Sequence, residues 1–180
     1  MARQGPREEV LDAVEEVFRD HGYHGATLSR LSEATGLGRA SLYHHFPGGK
    51  EDMARAIFLR AGEQLAASLS GEGTPEERLE SFLGEVEAIY ARGQRNPLLG
   101  AMVLGGGWPR FEDELAEGFR QWTDAFAGLA RAGGVEGREA RRRAEDAVAR
   151  LQGSLVVTRG LGKPAVFRRA LAELPGDLLA

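Results

Sequence analysis

Arg39, Ala40, Ser41, Tyr43 and His44 place a cation, two hydroxyls, an imidazole and one small side chain within six positions. Hydrogen-bonding tips of this kind read base edges, a cation answers phosphate, and small residues allow close approach. Leu42 and Phe46 stand four apart and give the segment a narrow apolar edge. With Leu42 turned inward, helical spacing turns Ala40, Ser41 and His44 outward, sets Tyr43 on one flank and leaves Arg39 at the exposed start. Gly38 can cap such a helix. His45 lies nearer the buried edge, and its contact with a nucleic acid is left open.

A recognition helix needs a partner to hold it. Leu28 and Leu31, with Ala34 and Thr35 one turn on, give a preceding helix an inward face, and Gly36 supplies the positive φ where that helix must stop. Upstream, Pro6 suits a first helical position, Glu8 and Glu9 complement the positive end, and Val10, Leu11, Val14, Val17 and Phe18 form an amphipathic stripe predicted to end at Gly22. Three helices around one small core follow. By pattern alone this could equally be a helical hairpin that merely packs.

Thr27, the Gly36-Leu37 turn, Ala40-Ser41-Leu42-Tyr43 and Tyr43-His44-His45-Phe46 followed by Lys50, with the upstream Phe18 and His21-Gly22-Tyr23, resemble the DNA-binding domain of TetR/AcrR-family transcriptional regulators. The resemblance covers roughly residues 7 to 60. Pro47-Gly48-Gly49 makes the junction before Lys50 longer than in most members, and Ala40 and Ser32 replace the commoner Gly and Ala. The stretch LYHHFPGGKE is similar to a subgroup that includes LmrA- and YxaF-like regulators. The resemblance implies that Thr27, Arg39, Tyr43 and Lys50 contact phosphate. Ser41 and His44 would then reach base edges, with close approach at Gly38 and Ala40.

Charge adds a constraint. The chain of 180 residues carries a net charge of −4, and residues 1–60 hold 8 Arg and Lys against 9 Asp and Glu. Residues 21–50 hold Arg30, Arg39 and Lys50 against Glu33 alone, and Arg3, Arg7 and the terminal amine add to the arm before them. Few phosphate contacts per subunit follow, so a dimer is expected. With no cysteine, disulfides, thiol nucleophiles and thiolate metal sites are excluded. No apolar run approaches a membrane span and no signal peptide opens the chain, which makes a cytoplasmic protein the expectation. His44 and His45 point about 100° apart on a helix and lack further ligands nearby, so no metal is expected. No cofactor loop and no catalytic constellation stand out; Gly160-Leu161-Gly162-Lys163 lacks the spacing of a P-loop.

Beyond Lys50, periodicity predicts helices from Lys50 to about Ser70, from Pro75 after a Thr74 capping box, from Leu98 to Leu104, from Pro109 through Leu129, from Arg138 to Leu161 and from Pro164 to Leu174, with Gly71 and Pro175-Gly176 as breaks. The fold expected is all-α, with nine helices. A three-helix helix-turn-helix DNA-binding domain would occupy residues 1–49 and a six-helix ligand-binding and dimerisation domain residues 50–180. Tyr90, Met102, Trp108, Phe111, Phe119, Trp122 and Phe126 either fill the core or line a pocket for a small, largely apolar effector. The resemblance implies the pocket. The arginine-rich run from Arg138 to Arg143 is interleaved with acids and reads as a solvated helix face. Ala140, Ala144, Ala147, Gly153 and Ser154 permit close helix approach, and the last two long helices are expected to form a homodimer as a four-helix bundle. The reading is a repressor released from a pseudo-palindromic operator by its effector. Its alternatives are a DNA-binding regulator without a ligand, and a helical carrier or enzyme.

Overall fold

The computed structural model describes residues 6–68 and 72–180. Arg3 and the terminal amine, and the predicted helix end at Ser70 with its break at Gly71, lie outside the described residues. Among the described residues all regular structure is helical: α1 (Pro6–Gly25), α2 (Leu28–Thr35), α3 (Arg39–His45), α4 (Lys50–Ser68), α5 (Pro75–Ile89), α6 (Leu98–Met102), α7 (Glu112–Ala132), α8 (Gly137–Leu161) and α9 (Ala165–Leu179). By contacts the chain forms two compact units, residues 1–61 with 98–116, and residues 62–97 with 117–180.

In the first unit the stripe of α1 is buried, with Val14 and Phe18 fully so, and α1 packs against α2, where Leu31 is buried; α3 packs on α2 and buries Leu42. Gly22 leaves the helical conformation with φ 61° and ψ −173°, and a short helical turn resumes to Gly25. The segment α6 and the π-turn that follows it, Val103–Gly107, pack against α1. Here Gly22 and Gly105 meet backbone to backbone: a methyl group added at either would stand 2.5 Å from the other's Cα. A methyl group at Gly106 would fall within the His24 ring. Tyr23 stacks on Phe18 and meets the edge of Phe111, which also meets Phe58.

In the second unit α5, α7, α8 and α9 share a core built around Phe82, Phe126, Leu151, Leu155 and Phe167. The capping box at Thr74 forms as its sequence requires, Thr74 Oγ1 accepting from the Glu77 N–H and Glu77 reaching back to the Thr74 N–H. Three boundaries differ from the periodicity. α6 ends at Met102 and gives way to the π-turn, because the glycines after Leu104 do not hold helical spacing. Phe111 precedes α7 rather than lying on it. α9 continues through Pro175 to Leu179. A proline inside a helix costs about 3 kcal/mol. Leu178 is buried one turn beyond Leu174, and fully burying a leucine is worth roughly 1.5–3 kcal/mol, which offsets much of that cost.

Candidate nucleic-acid interface

The site is assembled from α2, the turn and α3. Thr27 is the N-cap of α2, with its Oγ1 accepting from the Arg30 N–H at 3.3 Å, and its side chain is exposed. Gly36 closes α2 in the left-handed conformation, φ 67°. Two hydroxyls then fix the turn. Ser32 Oγ donates to the Leu37 carbonyl at 2.5 Å, while Thr35 Oγ1 donates to the Leu31 carbonyl at 2.7 Å and accepts from the Leu37 N–H at 3.3 Å. These bonds set the direction in which α3 leaves the turn. Neither hydroxyl was singled out for that role by the sequence, although a short side-chain oxygen beside a glycine turn is the available signal.

Gly38 is the N-cap of α3, in extended conformation and without a side chain to obstruct the start of the helix. Leu42 is fully buried and Phe46 nearly so, which leaves Arg39, Ala40, Ser41, Tyr43 and His44 exposed on the free face. His45 is half-buried and lies edge-on to His44, with ring centres 5.9 Å apart. The Tyr43 ring, 46% exposed, leans over Gly49, whose φ of 67° turns the chain into α4. Arg30 is tied back to the end of α1, its Nη1 donating to the Gly25 carbonyl at 2.9 Å.

Lys50 occupies a different setting. Its Nζ donates to the Tyr23 carbonyl at 2.9 Å and stands 4.1 Å from the centre of the Tyr23 ring. Burial, assisted by the charge of Arg110, lowers its pKa. The ammonium therefore ties the start of α4 to the end of α1. A second tie joins the same two helices: Arg60 of α4 pairs with Asp12 at 2.7 Å and with Glu15, and Glu15 also accepts from Arg19 Nε at 2.7 Å. Burial pushes the Glu15 carboxyl up, but Arg19 and Arg60 outweigh it and hold the pKa below the ordinary carboxylate value.

The seven aromatic and apolar candidates divide between the units. Met102 and Phe111 are buried in the first, where Trp108 is 40% exposed. In the second, Phe126 is fully buried and Tyr90 nearly so, with Phe119 and Trp122 half-buried against the same core. Trp122, Phe82 and Phe126 contact one another ring to ring, and Tyr90 meets the edge of Phe167. In the arginine-rich run, Arg141 pairs with Asp124 and Glu145, Arg142 with Glu139 and Asp146, and Arg143 with Glu139. Hydrogen bonds from Arg142 and Arg143 hold the Glu139 carboxyl at a pKa of about 2.

Residues 10–57 match the family described as bacterial regulatory proteins, tetR family. The chain is 40% identical over 70 residues to the HTH-type transcriptional repressor AcnR of Corynebacterium efficiens, an alignment covering 39% of this chain and only 37% of that protein's length. It is 25% identical over 161 residues to the HTH-type transcriptional regulator LmrA of Bacillus subtilis, covering 84% of this chain and 85% of LmrA. The crystal structure of a TetR transcriptional regulator from Legionella pneumophila superposes with a TM-score of 0.84 at 18% identity, covering 99% of this chain and all of that one.

Proposed function

We propose that the chain is a homodimeric DNA-binding transcriptional regulator of the TetR type, a repressor released from a pseudo-palindromic operator by a small, largely apolar effector; the match of residues 10–57 to the tetR-family description supports this reading. The observation that carries the DNA-binding part is the free face of α3, where five residues with cationic, hydroxyl, imidazole and small side chains stand exposed over the buried anchors Leu42 and Phe46. Ser41 and His44 reach base edges in the major groove, Gly38 and Ala40 allow the approach, and Arg39, Tyr43 and Thr27 take phosphates. Lys50 is the remaining phosphate ligand, and a phosphate there replaces its bond to the Tyr23 carbonyl. The names of AcnR, a repressor, and LmrA, a regulator, support the same direction.

In this reading residues 1–49 are the DNA-binding part and residues 50–180 bind the effector and dimerise, in the cytoplasm. Val157 and Leu161, exposed four residues apart on α8, support dimerisation through α8 and α9. Of the seven candidates, Tyr90, Phe119, Trp122 and Phe126 share the second unit; effector binding among these four favours a conformation with lower DNA affinity, and the ties of α4 to α1 at Lys50 and Arg60 carry the change. A regulator without an effector is the second reading, supported by the complete burial of Phe111 and Phe126. The test is gel retardation of duplexes selected by the wild-type protein from a random-sequence pool. The Arg39→Ala/Tyr43→Ala variant is expected to lose retardation while sedimentation still reports the wild-type mass. Unchanged retardation would remove α3 from the interface.

A further inference from the structure

In the second unit an open groove of about 600 Å³ runs between α5 and α9. Its floor is apolar, formed by Leu83 of α5 and by Leu171, Pro175 and Leu179 of α9. Its rim carries Glu76, Glu80 and Glu87 against the single cation Arg168. Among the described residues none of these three carboxylates is in an ion pair. Glu76 lies in the first turn of α5, where the positive end of the helix favours an acid on its own account. Glu80 and Glu87 have no such explanation: they are seven residues apart and flank Leu83 and Gly84 on one face.

Two helix-breaking residues converge here. Gly84 lies inside α5, where glycine is among the poorest helix formers, yet a methyl group added there would meet nothing within 4 Å. The chain's own packing therefore does not require the glycine, which leaves this stretch of the groove lining without a side chain. Across the groove Pro175 lies inside α9 and has no N–H to give to the Leu171 carbonyl.

We infer that the α5–α9 groove is a binding site for a lipophilic organic cation, whose apolar body lies on the leucine floor and whose charge is answered by Glu80 and Glu87. An apolar surface recessed between unpaired carboxylates favours a cation that desolvates easily over a hydrated inorganic ion, and disfavours an anion of the same shape. None of the aromatic candidates lines the groove, and the site stands whether or not the DNA-binding reading holds.

The test is calorimetric titration of the full chain with tetraphenylphosphonium and with tetraphenylborate, ions of nearly the same shape and opposite charge. The phosphonium is expected to bind one per chain and at least tenfold more tightly than the borate. Glu80→Gln/Glu87→Gln should weaken the phosphonium at least tenfold and close the gap between the two ions. Gly84→Leu, whose side chain enters the groove from an exposed helix position, should weaken both ions. Equal affinity for the two ions, no binding of the phosphonium at millimolar concentration, or unchanged binding in both variants with wild-type helicity would overturn the inference.

Discussion

At the scale of single residues, the direction of α3 rests on two hydroxyls. Thr35 Oγ1 satisfies the Leu31 carbonyl and the Leu37 N–H together. Thr35→Val keeps the shape and removes both bonds, and is expected to cost about 1–2 kcal/mol in urea unfolding. It should also weaken DNA binding, because α3 is no longer held in one orientation. His44 and Arg39 divide differently. An imidazole at a base edge discriminates by about 1–3 kcal/mol at one position, whereas an arginine on phosphate strengthens all sequences alike. Much of this was legible in the sequence: the i, i+4 spacing of Leu42 and Phe46 was enough to say which side chains face out. The setting of Lys50 was not, because its partner, the Tyr23 carbonyl, lies 27 residues away and a backbone oxygen leaves no mark in a sequence.

At the scale of elements, the contact of α1 with the π-turn is the most constrained place in the first unit. Gly22 has positive φ and no room for a Cβ, since its neighbour is the Gly105 backbone rather than a movable side chain. Gly105→Ala is therefore expected to destabilise by about 2–4 kcal/mol, read as a lowered Tm, because one backbone must withdraw from the other. Gly84→Ala should do the opposite and stabilise by roughly 0.5–1 kcal/mol, since its Cβ enters open space within a helix. One glycine lies inside α5 and the other in the π-turn, and composition gave no means of telling which has room for a side chain; the difference is a contact between segments more than 80 positions apart. α9 shows a second limit. Pro175-Gly176 has every local mark of a helix end, yet tertiary burial of Leu178 carries the helix past it. The stripes of α1, α5 and α8 were legible because their burial follows one period throughout.

At the scale of the whole molecule, charge and pH set testable behaviour. Glu15 has a depressed pKa in the folded chain. The stability it confers is thus fully present above its ordinary carboxylate range and is lost as pH falls through the folded value, below 4.5. Glu15→Gln is expected to be less stable at pH 7 by on the order of 3 kcal/mol, and to lose less than the wild type on acidification below pH 4.5. Cations among the proposed phosphate ligands are few, so the dependence of operator affinity on salt should be shallow, with a log–log slope of about −4 for a dimer in which Arg39 and Lys50 of each subunit neutralise phosphates. Val157→Glu places a charge in the apolar pair of α8 and should yield monomers whose operator affinity falls by about 100-fold or more, since the second half-site is no longer tethered.

The most direct measurement is the base preference of the purified protein, obtained by selection from a random duplex pool, for the wild type, His44→Ala and Arg39→Ala. The account predicts two inverted half-sites whose centres lie about one helical turn of DNA apart, about 10 base pairs. His44→Ala should relax preference at one position in each half-site, and Arg39→Ala should weaken binding without changing preference. Selection of no sequence by the wild type, or an unaltered preference in His44→Ala, would contradict it.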